Sequence, residues 1–289
     1  NDKNFDCKEL LGTEHYPLDR HQLRRQVEEF FRHPADVGLF YFAGHGMIEP
    51  AGGFLMASNA QHRSDGLALN DLRTWVNSSP IRDRLVILDC CHSGAMAETP
   101  LHAGNPAELA EGVTVLTAST SQQLAGETRE GGLFTRLMVE ALEGAAASLT
   151  GEVTPASVYA FIDQSLGLHG QRPVFKSNVQ RFVPLRKCTP PIALADLLRI
   201  IEFFADKTFE YPLDPSYEPD PRREIRQDKD PDPDPEHTEI FRILQRYNRL
   251  HLLVPVDADH MFDAAMGRKP CRLTALGQHY WRLVRDKRI

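Results

Sequence analysis

Three apolar runs constrain the fold most: "VGLFYFA" (37–43), "RLVILD" (84–89) and "GVTVLTA" (112–118). Each is apolar at successive positions rather than alternate ones. A strand of that kind has to be covered on both faces. Amphipathic segments stand before, between and after the runs. "DRHQLRRQVEEFF" predicts a helix with Asp19 as N-cap and Leu23, Val27, Phe30 and Phe31 as its apolar stripe. "LNDLRTWV" predicts another, capped by Asn70. "LFTRLMVEALEGAAA" and "TPASVYAFIDQSL" predict two more, the second with Thr154 as cap and Pro155 in its first turn. Strands alternating with helices predict an α/β fold with a mainly parallel central sheet covered on both sides. "FDCKELL" and "GGFLMAS" read as further short strands, and "QRFVPLR" as one that closes the sheet.

After Arg186 the character of the chain changes. "PPIALADLLRIIEFFADK" predicts one amphipathic helix, with Leu194, Leu197, Leu198, Ile201 and Phe204 on one side. "YPLDPSYEPDPRREIRQDKDPDPDPEH" is rich in Pro and Asp and offers little to bury, so it reads as a linker. The last stretch holds helices in "EHTEIFRILQRYNRL", "DADHMFDAAM" and "LTALGQHYWRLV", the last capped by Thr274, with a strand in "HLLVPV". The expected organisation is a first domain over 1–187, a helix and linker over 188–236, and a small domain over 237–289.

With 289 residues and 42% hydrophobic content, a sizeable core is within reach. A net charge of −7 excludes general nucleic-acid binding by the whole chain. Five cysteines, two of them adjacent, do not form a disulfide framework and fit a reducing, cytoplasmic setting. No apolar run reaches membrane-spanning length.

The chemistry concentrates at the ends of two of the apolar runs. In "LVILDCCHSG", alternation puts Val86, Leu88 and Cys90 on one face and Ile87, Asp89 and Cys91 on the other. Ligands of open parallel sheets gather at the carboxyl ends of strands. Asp89 and Cys91 therefore emerge together at the rim, and Cys90 turns into packing. His45 ends the run "LFYFAGHG", flanked by Gly44 and Gly46. If the two strands are neighbours, His45 and Cys91 form a base and nucleophile pair. An imidazole beside a thiol takes its proton or stabilises the thiolate. The backbone N–H groups of Gly46 and Cys91 are candidates for an oxyanion hole. A zinc site at Cys90, Cys91 and His92 is disfavoured, because adjacent strand residues point apart.

"FYFAGHG" followed by "VILDCCHSG" resembles the caspase-like clan of cysteine proteases, and most of all its bacterial metacaspase-type members. The resemblance spans residues 1 to about 187 and includes "TAST" and "GGLFTRLMVEAL". The 46-residue separation of His45 and Cys91 fits it, since a caspase cysteine has its histidine about 50 residues upstream. It implies a caspase-like three-layer α/β sandwich, with His45 as general base, Cys91 as nucleophile and Gly46 as oxyanion donor.

A carboxylate near a thiolate raises the thiol pKa, so Asp89 does not help the nucleophile. It makes sense as a reader of substrate, matching a guanidinium or ammonium. Metacaspases resemble this chain in placing Asp two residues before the Cys, and they cut after Arg or Lys. The expected substrate is thus a polypeptide with Arg or Lys at P1. Glu127 is a second pocket candidate, and Ser119 in "TAST" a further substrate-binding one. No cofactor is required for this chemistry.

Three departures from the family stand out. The strand and helix that usually precede the "NFDC" segment are expected to be missing from this chain. Many metacaspases hold calcium on an acidic pair, whereas "LALNDLRTWV" offers only Asn70 and Asp71, so calcium dependence is expected to be weak or absent. From Leu85 to Thr128 there is no Lys or Arg, so an enzyme cutting after basic residues cannot cleave itself there.

The stretch 237–289 resembles a winged helix. Arg268, Lys269, Arg272, Arg282, Arg285, Lys287 and Arg288 make it basic. Phosphate contact is one reading. Docking of a regulatory protein partner is preferred, since the rest of the chain is acidic. Tyr280 and Trp281 are expected in the core. The resemblance implies a regulated effector protease in bacterial signalling or defence. The alternatives are a catalytically silent caspase-like interaction module and a DNA-tethered regulator.

Overall fold

The computed structural model describes residues 5–49, 52–62, 65–90, 108–118, 127–128, 131–166, 172–220 and 229–289. The chain divides into two units, Asn1–Thr189 and Pro190–Ile289.

In the first unit, α1 (Arg20–Arg32) starts at Asp19. The Asp19 side chain accepts from Gln22 N–H at 2.8 Å, and the Gln22 side chain accepts from Asp19 N–H. This reciprocal pairing satisfies two donors that a helix start leaves open. Leu23, Val27 and Phe31 are buried, while Phe30 stays partly exposed. Strands β1 (Val37–Ala43), β2 (Gly46–Glu49), β3 (Gly52–Met56) and β4 (Gly66–Ala68) follow, then α2 (Leu69–Ser78), β5 (Asp83–Asp89) and β6 (Val113–Thr117). Next come β7 (Glu127–Thr128), β8 (Gly131–Gly132), α3 (Leu133–Glu140), β9 (Glu152–Val153), α4 (Pro155–Leu166), β10 (Val174–Asn178) and β11 (Arg186–Lys187).

The central sheet has the order β1-β5-β6-β10. β1, β5 and β6 run parallel, and β10 is antiparallel to β6. One face packs Val86, Leu88, Cys90, Val113 and Val115 against α1 and α2. The other packs Leu85, Ile87 and Leu116 against Phe134, Leu137, Met138, Val158 and Ile162 of α3 and α4. The result is the mainly parallel, three-layer α/β arrangement expected from the doubly apolar runs. β1 is an edge strand, with no ladder partner on its outer side among the described residues. On the α3–α4 side lies a cavity of about 710 Å³, lined by Phe5, Leu39, Tyr41, Ile87, Met138 and Arg186 among others.

Several local expectations differ. "FDCKELL" forms no strand: residues 6–12 are exposed and make no ladder. The cap of α2 is Ala68 rather than Asn70, whose side chain accepts from Arg73 instead. "QRFVPLR" does not close the sheet. β10, just before it, does so, and only Arg186–Lys187 pairs, with β9. Pro184 within the stretch lacks the N–H that a ladder needs.

The second unit contains α5 (Leu194–Leu198), α6 (Ile200–Phe203), β12 (Glu210–Tyr211), α7 (Pro235–Arg249), β13 (Leu253–Pro255), α8 (Met261–Met266), β14 (Cys271–Leu273) and α9 (Ala275–Arg285). Its sheet has the order β12-β14-β13 and is antiparallel. The single helix expected near residue 200 is two short ones meeting at Arg199. They bury Leu197, Ile200, Phe203 and Phe204 and leave Leu194, Leu198 and Ile201 exposed. The Pro/Asp-rich stretch read as linker is built into this unit up to residue 220. Leu213 and Tyr217 are buried there, and Tyr211 lies in β12. Proline and aspartate serve it locally: Asp214 caps a short turn at Pro215–Tyr217 by accepting from Ser216 N–H at 2.8 Å. As expected, Thr274 caps α9 and Trp281 is buried, whereas Tyr280 is only half-buried.

Candidate active site

β1 and β5 carry the chemistry-bearing residues to one rim. They are adjacent and parallel, with Ala43 opposite Asp89 at the end of the ladder. Gly44 N–H then donates to the Asp89 carbonyl at 3.3 Å. His45, directly beyond, is exposed. Its carbonyl accepts from Met56 N–H at 2.9 Å, which anchors the turn into the β2–β3 hairpin. Rungs of an antiparallel ladder alternate between bonded and non-bonded pairs. With the 45–56 rung bonded, the next, Gly46 with Leu55, is the non-bonded kind. The Gly46 N–H is therefore directed away from β3.

On β5, Cys90 is buried with Val86 and Leu88, as alternation predicts. Asp89 points to the other side. Its Oδ2 accepts from the Thr135 hydroxyl, in the first turn of α3, and from the Tyr41 hydroxyl of β1 at 3.4 Å. Tyr41 and Thr135 hydroxyls are 3.3 Å apart. Burial pushes the Tyr41 phenol above its usual pKa. The hydrogen bond with Thr135 opposes that shift and the Asp89 charge adds to it. Gly132, at the N-terminus of α3, faces this cluster. A Cβ built on it would lie 3.5 Å from Asp89 Oδ2. Glu127 pairs with Gly132 across the β7–β8 rung. Cys91 and Ser119 lie outside the described residues.

The structure thus brings His45, Gly46 and Asp89 to one rim and sets the Glu127 backbone beside Gly132. Sequence reasoning missed Tyr41 and Thr135. Tyr41 is a hydroxyl-bearing residue in an otherwise apolar run, which is a signal that a polar partner is needed, whereas Thr135 beside Arg136 gives no such signal. Nothing local names that partner, because Asp89 is 48 and 46 residues away.

Asp71 is ion-paired with Arg24, and the Asn70 side chain accepts from Arg73. Among the described residues, no group of three or more His, Cys, Asp or Glu side chains is arranged to hold a metal. In the second unit, Arg268 pairs with Asp230 at 2.9 Å, Arg272 with Glu210 at 3.7 Å and Arg285 with Asp286 at 2.8 Å. Three of the seven basic residues named for this stretch are thus paired with a carboxylate. No helix among the described residues is long and apolar enough to cross a membrane.

The model of the caspase domain matches residues 5–183. The chain belongs to the caspase-domain family. Among solved structures, this caspase-domain chain is similar to caspase-1 from Spodoptera frugiperda, at 14% identity and a TM-score of 0.42, over 58% of this chain and 71% of the other. It is also similar to protein GSU0716 from Geobacter sulfurreducens, at 13% identity and a TM-score of 0.42, over 60% and 78%. No curated protein matches it.

Proposed function

We propose that the protein is a cysteine endopeptidase of metacaspase type that cleaves polypeptides after Arg or Lys. The observation that carries this is the shared rung of β1 and β5. Ala43 and Asp89 face each other, and the sequence places His45 and Cys91 two residues beyond each. His45 acts as general base and Cys91 as nucleophile. The thiolate attacks the scissile carbonyl, the amine leaves with a proton from His45, and water resolves the acyl-enzyme. N–H groups of Gly46 and Cys91 receive the oxyanion, a role supported by the outward direction of the Gly46 N–H. Asp89 accepts the basic P1 side chain, with Glu127 as its second carboxylate and Ser119 at the margin of the pocket.

The 237–289 part holds a regulatory protein partner and makes the protease a regulated effector in bacterial signalling or defence. The helix–strand–helix–strand–helix order after residue 235 supports the winged-helix-like reading. The ion pairs at Arg268, Arg272 and Arg285 favour protein docking over nucleic acid.

An arginyl-methylketone inhibitor is expected to label Cys91 of the full chain, and Cys91→Ala and His45→Ala to abolish peptide cleavage. A panel of peptides with P1 Arg, Lys and Asp should rank Arg and Lys far above Asp. A preference for Asp, or labelling at another cysteine, overturns the assignment.

A further inference from the structure

We propose that Thr135 and Tyr41 are positioning residues that hold the Asp89 carboxylate in one orientation and so make the pocket prefer Arg to Lys. This rests on Asp89 as the acceptor of the P1 side chain and adds the residues that set its discrimination. A carboxylate at a strand end turns about two side-chain torsions, and an unanchored one spreads over several rotamers. Here two hydroxyls from separate elements, β1 and α3, bond the same oxygen, Oδ2. They also lie 3.3 Å apart, so Tyr41 can donate to Thr135 in place of Asp89; the three groups form a triangle in which Oδ2 keeps one acceptor position, beside Oδ1, for a substrate guanidinium. Tyr41 is 39% exposed, so the triangle stands at the surface of the rim and not deep in the core.

Orientation matters unequally for the two basic side chains. A guanidinium is a planar fork whose best contact with a carboxylate is bidentate and geometrically demanding. An ammonium is a point charge with rotatable donors and tolerates a carboxylate that turns. A pinned Asp89 therefore favours Arg, and a loosened one costs Arg binding more than Lys binding. Gly132 belongs to the same device. Its φ of −65° and ψ of 132° suit any residue, so glycine is not required by the backbone. What its lack of a side chain leaves is room. An added Cβ would sit 3.5 Å from Asp89 Oδ2, 3.6 Å from Thr135 Oγ1 and 3.8 Å from Asp89 Oδ1, directly over the carboxylate.

The test is peptide cleavage by the full chain with matched P1-Arg and P1-Lys substrates. Thr135→Val and Tyr41→Phe are each expected to lower the Arg:Lys ratio of kcat/KM by about three- to tenfold, the factor that one hydrogen bond provides. The loss should fall on KM for Arg, with kcat nearly unchanged. Thr135→Ser keeps the hydroxyl and should keep the ratio. Gly132→Ala should raise KM for both substrates without lowering the melting temperature. Carbon-13 titration of the Asp89 carboxyl is an independent reading, expected to move upward in Thr135→Val as a donor is lost. An unchanged ratio in both hydroxyl variants, or an equal loss for Arg and Lys, overturns the positioning role while leaving Asp89 as the acceptor. An Arg preference that survives Asp89→Asn overturns the acceptor itself, and the positioning role with it.

Discussion

At the scale of single residues, backbone geometry sets sharper limits than side-chain chemistry. Gly112 precedes β6 with φ +86°, and an added Cβ would lie 2.1 Å from the Arg82 carbonyl oxygen. Both the dihedral and the contact exclude a side chain. Gly112→Ala should cost about 2 kcal/mol or more, read as a lowered melting temperature. Beside it, the buried Arg84 donates to the carbonyls of Val76, Ser79 and Glu111, and its burial lowers its pKa. Removing it leaves three acceptors short of a donor. In the second unit, Ser216 donates to Asp214 at 2.6 Å and lies 2.6 Å from His237 Nδ1, while Tyr217 stacks on the His237 ring. Burial acts to raise the Asp214 pKa, but the Ser216 hydroxyl and N–H outweigh it and hold the carboxyl below its usual 3.8. A depressed folded pKa means that the stabilisation is complete above the unfolded value and is lost as pH falls through the folded one. Acid unfolding below about pH 4 should therefore shift to a shallower limb in Asp214→Asn, monitored by the fluorescence of Trp281 across pH in a Trp75→Phe background. Legibility at this scale follows locality. The Asp19 cap was readable because Gln22 stands three residues on, and Cys90 because strand alternation is rigid. Tyr41 and Thr135 were not, since their shared partner lies on another strand.

Among the elements, the three central strands were the most legible. β1, β5 and β6 coincide with apolar runs of five to seven residues, too short for a buried helix and rich in branched or aromatic side chains. Helix ends were read well where a side chain accepts a backbone N–H, at Asp19 and Thr274. They were read poorly where none does, at Ala68. The helix expected near residue 200 fails for a packing reason. Its apolar residues surround the axis, and the break at Arg199 lets Leu197, Ile200, Phe203 and Phe204 reach the interior together. The Pro/Asp-rich stretch misled because composition reports what a segment lacks on average, whereas Leu213 and Tyr217 suffice to fasten it. Helix α9 is tied back to this region by Trp281, whose Nε1 donates to the Phe204 carbonyl at 2.7 Å in a buried setting. Trp281→Phe keeps most of the apolar area but orphans that carbonyl. A loss of about 1–2 kcal/mol is expected, measured by chemical denaturation.

For the whole molecule, the first unit's layers were legible from its apolar patterns, while the second unit runs from Pro190 to Ile289 and takes in residues that composition alone sets apart as helix and linker. The candidate site was named from motifs on two separate strands, and those strands, β1 and β5, are neighbours in the sheet. Two outcomes belong to this scale. The stretch from Leu85 to Thr128 holds no Lys or Arg, so incubation of the intact chain should yield no new termini between Cys91 and Thr128 by mass spectrometry. Chelation of divalent ions should leave the cleavage rate unchanged within about twofold, because Asn70 and Asp71 offer a single carboxylate where calcium takes several oxygen ligands. The ladder between β1 and β5 carries a last consequence. Among the described residues, the strand that presents Tyr41 and leads to His45 takes its register from β5, the strand that also carries Asp89. Under the proposed function, a change that shifts this one ladder should therefore alter selectivity and turnover together.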